Sequence, residues 1–131
     1  MKIILDTNFL IYMAKEKIDY VDELSTLLNE DYQIVVPKQV INELTSLKND
    51  TKKKVSGKDK LASDLALKIL KANKIKTIET KRSRNISVDQ SIINLAKKDK
   101  KNIVCTLDKE MRKTLGRVIL LNKGNKLILT R

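Results

Sequence analysis

The chain has 131 residues, enough for one domain around one core, with 28 Lys and Arg against 16 Asp and Glu, no His, one Cys and one Pro. The missing His excludes Ser-His and Cys-His catalysis and imidazole zinc sites, and an aromatic content of 3% argues against a base-stacking RNA platform. A lone Cys105 forms no intrachain disulfide, no apolar run reaches membrane-spanning length, and the N-terminus lacks a signal-peptide pattern, so the sequence predicts a soluble cytoplasmic protein without a membrane partner.

In chain order, Ile3-Ile4-Leu5 is an apolar run without alternation, which predicts a strand buried on both faces of a parallel sheet. Helical patterns follow at about 7–15 and 19–29, then a strand at Tyr32–Val36, with Pro37 expected in the first turn of a helix carrying Val40, Leu44 and Leu47 on one face. Residues 48–60 turn polar and basic and predict a mobile loop. Leu61, Leu65, Ile69 and Ala72 mark the expected buried stripe of the next helix, followed by a strand at 75–79 and a second basic loop at 80–85. Ser87 with Gln90 forms a capping box, 102–106 reads as a strand, 108–115 as a short helix ended by Gly116, and 118–121 with 127–129 as a hairpin. Strands alternating with helices predict a single α/β domain over 1–131, with a mainly parallel central sheet.

Net charge is +12, and it is polarised: residues 1–47 hold four basic and eight acidic groups, residues 48–131 hold 24 and eight. Such a surface suits a polyanion such as nucleic acid, and equally a lysine-rich coat that keeps a protein soluble. Against this background the acids carry the information. Asp6 follows the first buried strand and Asp108 the fourth, where parallel sheets build sites, beyond the carboxyl ends of their strands. Glu43 lies beside the apolar stripe of its helix, and Asp89 shares a face with Ile93 and Ala96. Each has an ordinary reading: Asp6 and Asp108 as helix caps, Asp89 as a first-turn anion, Glu43 in an ion pair. Together, four carboxylates converging without His or a Cys cluster call for a hard cation with oxygen ligands, Mg²⁺ or Mn²⁺, and metal-activated water beside a basic surface suggests phosphodiester chemistry.

Ile-Leu-Asp-Thr-Asn at 4–8, Val-Ile-Asn-Glu-Leu at 40–44, Val-Asp-Gln-Ser-Ile at 88–92 and Thr-Leu-Asp at 106–108 resemble the four acidic motifs of PIN-domain ribonucleases, in order. The resemblance implies a three-layer fold and a Mg²⁺- or Mn²⁺-dependent endoribonuclease. In it Asp6, Glu43, Asp89 and Asp108 are the catalytic, metal-holding carboxylates, and Asn8 and Thr106 are polar supports. Glu110 is a possible further acid, more simply a surface residue of a first turn. Gly57–Lys60 and Leu107–Arg112 look like the ribosomal RNA-processing branch, which implies pre-rRNA and ribosome-assembly factors as partners. The alternatives are a VapC-type toxin silenced by an antitoxin peptide and a catalytically weak RNA-binding factor. A homodimer is common in the family. Leu107 departs from the pattern, since many PIN domains have Asn there. Lys52, Lys53, Lys54, Lys58 and Lys60, with Lys81, Arg82 and Arg84, are the candidates for holding RNA; as solvated loops they would do nothing more.

Overall fold

A computed structural model of the chain describes residues 1–80 and 86–130. Among these residues six strands and six helices follow one another as β1 Lys2–Leu5, α1 Thr7–Glu16, α2 Tyr20–Leu27, β2 Gln33–Pro37, α3 Lys38–Lys48, α4 Gly57–Ala72, β3 Lys76–Ile78, α5 Val88–Ala96, β4 Ile103–Cys105, α6 Lys109–Leu115, β5 Val118–Leu121 and β6 Leu127–Leu129. They build one sheet in the order β3-β2-β1-β4-β5-β6, parallel except for β6, which returns antiparallel along β5 as the predicted hairpin.

The apolar run at the start of the chain explains the centre of this sheet. Ile3, Ile4 and Leu5 are fully buried because β1 lies between β2 and β4, with helices on both faces. Burial of each such side chain contributes about 1.5–3 kcal/mol. Connections from β1 through β2 to β3 step one way across the sheet, whereas α5 carries the chain back over to β4. Right-handed crossovers then place α1, α3 and α4 on one face and α5 and α6 on the other, giving three layers. The reversal falls between β1 and β4, where Ile3 pairs with Ile103, Ile4 with Val104 and Leu5 with Cys105.

Three local expectations are corrected. Pro37 closes β2 as the N-cap residue of α3, one position before the helix, because its ψ of 141° is extended. The segment after α3 is not one loop to residue 60: the Asp50 carboxylate accepts the backbone N–H groups of Lys52, Lys54 and Val55 at 3.3, 3.0 and 2.9 Å, and a helix begins at Gly57. Ser56 then caps α4 through the Asp59 N–H, so Lys58 and Lys60 stand on the first turn of a helix.

The third correction concerns which face of α4 is buried. Ala62, Ser63, Ala66 and Leu70 point inward, while of the expected stripe only Ile69 packs, half-buried, against the core: Leu61 is 73% exposed, Leu65 38%, and Ala72 is exposed. The cause is packing against two helices at once. α4 lies against both α1 and α3, and small side chains permit that close approach where leucines would hold the helices apart. Asp64 reinforces the contact, bridging Lys48 of α3 and Lys68 at 2.9 Å each.

Candidate functional site

The strand ends bring the first two acids together. Asp6 and Thr106 extend the β1–β4 pairing by one residue, and the Asp6 N–H donates to the Cys105 carbonyl at 3.2 Å. Asp6 is 3% exposed. Its Oδ1 accepts the Thr7 N–H at 2.8 Å, which caps α1, and its Oδ2 accepts the Thr106 hydroxyl at 2.8 Å. The same hydroxyl accepts the Asp108 N–H at 3.1 Å. Thr106 therefore ties the two strand-end acids into one network.

Asp108 is half-buried and caps α6, its Oδ1 accepting the N–H groups of Glu110 and Met111 at 2.9 and 3.4 Å. The capping roles are thus real for Asp6 and Asp108, and they do not exclude a second role. Asp108 uses only Oδ1, leaving Oδ2 for another partner. Asp89 sits in the first turn of α5, whose cap is Ser87, and its side chain faces solvent. Glu43 is half-buried in the middle of α3.

The electrostatics show that these acids share one field. Burial pushes the Asp6 carboxyl up to about 6; the Thr106 and Thr7 hydrogen bonds oppose the rise, and the charges of Asp89 and Glu43 add to it. Asp89 is raised by partial burial and by the charge of Asp108. Among the described residues none of the four carboxylates forms an ion pair, although Lys15, Lys48, Lys68 and Lys113 each neutralise an acid elsewhere. Nor do three acids stand close enough, among the described residues, to enclose an ion as they are. The arrangement is a set of mutually repelling oxygen donors at the carboxyl edge of the sheet, with no ion-paired cation among the described residues. That donor set fits a hard divalent cation.

The other expected residues distribute as follows. Asn8 is exposed on the first turn of α1 and makes no hydrogen bond to a carboxylate among the described residues. Leu107 is 36% exposed between Thr106 and Asp108. Glu110 is exposed and pairs with Lys113 at 3.5 Å, which is the surface reading. Lys52, Lys53, Lys54 and Lys58 are exposed and Lys60 is half-buried. This basic segment is fastened to the last turns of α1 and α3 by the Lys15–Asp59 and Lys48–Asp64 pairs. Lys81, Arg82 and Arg84 lie outside the described residues.

Two features escaped the sequence reading. Thr7 Oγ1, next to Asp6, is buried and without a hydrogen-bond partner among the described residues. A second basic cluster gathers Lys97, Lys100, Lys101 and Arg117 at the opposite edge of the sheet. Arg117 is 16 or more positions from the lysines, so only strand pairing reveals that they meet. Cys105 and Tyr20 are buried in the core, as expected of packing residues, and burial pushes both their pKa values up.

Comparison with known proteins agrees with the fold. Ribonuclease VapC4 of Methanocaldococcus jannaschii is 37% identical over 114 residues, covering 87% of this chain and 82% of the relative. Among solved structures, the PIN domain endonuclease Utp24 superposes with a TM-score of 0.77 at 21% identity, covering 98% of this chain and 90% of that one. VapBC2 from Rickettsia felis, bound to a DNA fragment from its promoter, gives 0.60 at 17% identity, with 93% and 98% covered. Residues 3–129 match the family described as the PIN like domain, so the chain, with its three-layer sheet and its acids at the β1/β4 reversal, belongs to the PIN-like domain family.

Proposed function

We propose that this protein is a Mg²⁺- or Mn²⁺-dependent endoribonuclease whose centre is formed by Asp6, Glu43, Asp89 and Asp108. The observation that carries this reading is the Thr106 hydroxyl, which joins Asp6 to the Asp108 backbone at the point of strand reversal, within the field of the other two acids. A bound divalent ion would supply an activated water and stabilise the leaving oxygen. The chain's own part is to hold the carboxylates that receive the ion. Thr106 orients Asp6, the α1 and α6 caps fix the two strand-end acids, and Asn8 offers an exposed amide beside them. Lys52, Lys53, Lys54, Lys58 and Lys60, with Lys81, Arg82 and Arg84, attract the phosphate backbone without reading sequence.

For the biological setting, the 37% identity to ribonuclease VapC4 over most of both chains favours a VapC-type toxin, with an antitoxin peptide as partner. Ribosomal RNA processing is the second reading, supported by the motifs at 57–60 and 107–112. A cytoplasmic location and a homodimer accompany either. No helix of the described residues is long and apolar enough to cross a membrane.

The test is cleavage of single-stranded and structured RNA with each metal, comparing wild type with Asp6→Asn and Asp108→Asn. Wild type should cut and the variants should not, with activity abolished by a chelator. A wild type that binds RNA but never cuts it above the variants leaves the RNA-binding factor as the better account. Growth arrest on expression, relieved by a neighbouring antitoxin, separates the toxin from the processing enzyme; accumulation of unprocessed rRNA ends on deletion supports the latter.

A further inference from the structure

The turns entering β4 and β5 lie at the amino edge of the sheet, the end opposite Asp6 and Asp108. Two adjacent grooves of about 300 Å³ each open there. One is lined by Lys97, Lys100 and Arg117 together with Asn102 and Thr114, the other by Lys100, Lys101 and Arg117. Lys100 and Arg117 therefore stand on the ridge between the two grooves and face both.

The acids present are few. Asp99 and Glu30 line the grooves, but Asp99 already accepts the Lys101 backbone N–H at 2.9 Å through Oδ1. None of the four cations forms an ion pair among the described residues. Four positive charges converge from two separate turns against two carboxylates, a net positive excess that costs self-repulsion and is relieved when an anion is received. Composition indicates which anion. Protein interfaces are depleted in Lys and enriched in aromatic residues, and neither groove has an aromatic lining residue. The same absence removes base stacking, leaving a surface that would hold a phosphate backbone irrespective of sequence.

We propose that these basal grooves are a second nucleic-acid contact surface, which holds the phosphodiester backbone of the RNA outside the segment presented to the acids. RNA as the occupant rests on the function proposed above; the surface itself is argued independently. Asp89 and Lys97 mark the two ends of α5, about 12 Å apart along its axis, so only an RNA long enough to round that edge reaches both places. Short substrates would engage the acid edge alone.

The experiment is binding of fluorescent 3- and 24-nucleotide RNA in chelator, so that no cleavage intervenes, by wild type and the Lys100→Glu/Arg117→Glu variant; at about 3.4 Å per stacked nucleotide the trinucleotide spans about 7 Å, short of the gap between acids and grooves. The control is Lys71→Glu/Lys74→Glu, which lowers net charge equally from another surface. All three proteins are first checked for equal melting midpoints. The basal variant should lose affinity for the long RNA alone. Its log K against log salt should be shallower by about 1.4, two contacts at about 0.7 each, so that wild type's advantage shrinks about sevenfold between roughly 50 and 200 mM salt. Equal loss in the control, or equal loss on the short RNA, overturns the inference, because either shows general electrostatics. Cleavage assays keep the two readings apart. Metal-dependent cutting with no effect of the basal variant refutes this surface and leaves the nuclease standing. Length-dependent binding without cutting keeps the surface and refutes the nuclease.

Discussion

Replacing Asp6 by Asn should stabilise the metal-free protein at neutral pH, although it removes the most buried acid of the site. An exposed Asp carboxyl titrates at 3.8 and Asp6 at about 6, a gap that corresponds to about 3 kcal/mol. Because the folded value is raised, the penalty for ionising Asp6 grows as pH rises above 3.8 and is complete above 6; it disappears only below 3.8, where the group is protonated in both states. Asn carries no such penalty. It keeps an oxygen for the Thr7 N–H, and the Thr106 hydroxyl can turn to accept its amide, so the loss is the charge-assisted part of two hydrogen bonds, about 1–2 kcal/mol. The expected balance at pH 7 in chelator is a gain of about 1–2 kcal/mol, a melting midpoint higher by roughly 3–10 °C. Denaturant unfolding at pH 4 and pH 7 measures it, and the ionisation penalty behind the gain should fall to about 0.5 kcal/mol at pH 4. Added Mg²⁺ or Mn²⁺ should then raise the wild-type midpoint and leave the variant unmoved, since only a native-state ligand stabilises by mass action. An Asp6→Asn protein less stable than wild type at pH 7 without metal would refute the argument, because it would mean that the carboxylate is paired rather than repelled.

Thr106→Val should destabilise by about 1–3 kcal/mol and raise the Asp6 pKa further, since it removes a donor to Asp6 and the acceptor of the Asp108 N–H; Thr106→Ser should restore both in a stability and pH titration. On α4, Ala66→Leu should cost about 1–3 kcal/mol by forcing the helices apart, whereas Leu61→Lys should change denaturant midpoints by less than about 0.5 kcal/mol. Reversed magnitudes would restore the stripe expected from the sequence. Cys105 should stay silent to an aqueous thiol reagent in the native protein and react fully in denaturant, its thiol being buried and its pKa pushed up; fast native labelling would contradict its place in the core.

Much was legible in the one-dimensional pattern because it concerns neighbours along the chain. An unalternated Ile-Ile-Leu has to lie between two covered faces, and Ser87 with Gln90 has to begin a helix. An acid just past such a strand lies at the ligand-binding edge of whatever parallel sheet forms. The face of α4 was not legible in this way. Its leucines repeat at helical spacing, but so do its small residues, and only the simultaneous approach of α1 and α3 selects the latter. Asp50 illustrates the same limit at shorter range: an acid in a basic run reads as a solvated charge until the backbone folds three N–H groups onto it. By itself the sequence determined the fold class, the strand-end acids and a polarised positive charge that suits a polyanion and a solubilising coat equally. Only the tertiary structure decided that Thr106 links Asp6 to Asp108, that α4, with the basic segment leading into it, is ion-paired to α1 and α3, and that Arg117 meets Lys97 and Lys100. Those three results depend on strand order and helix packing, which set contacts between residues many positions apart and leave no periodic trace along the chain.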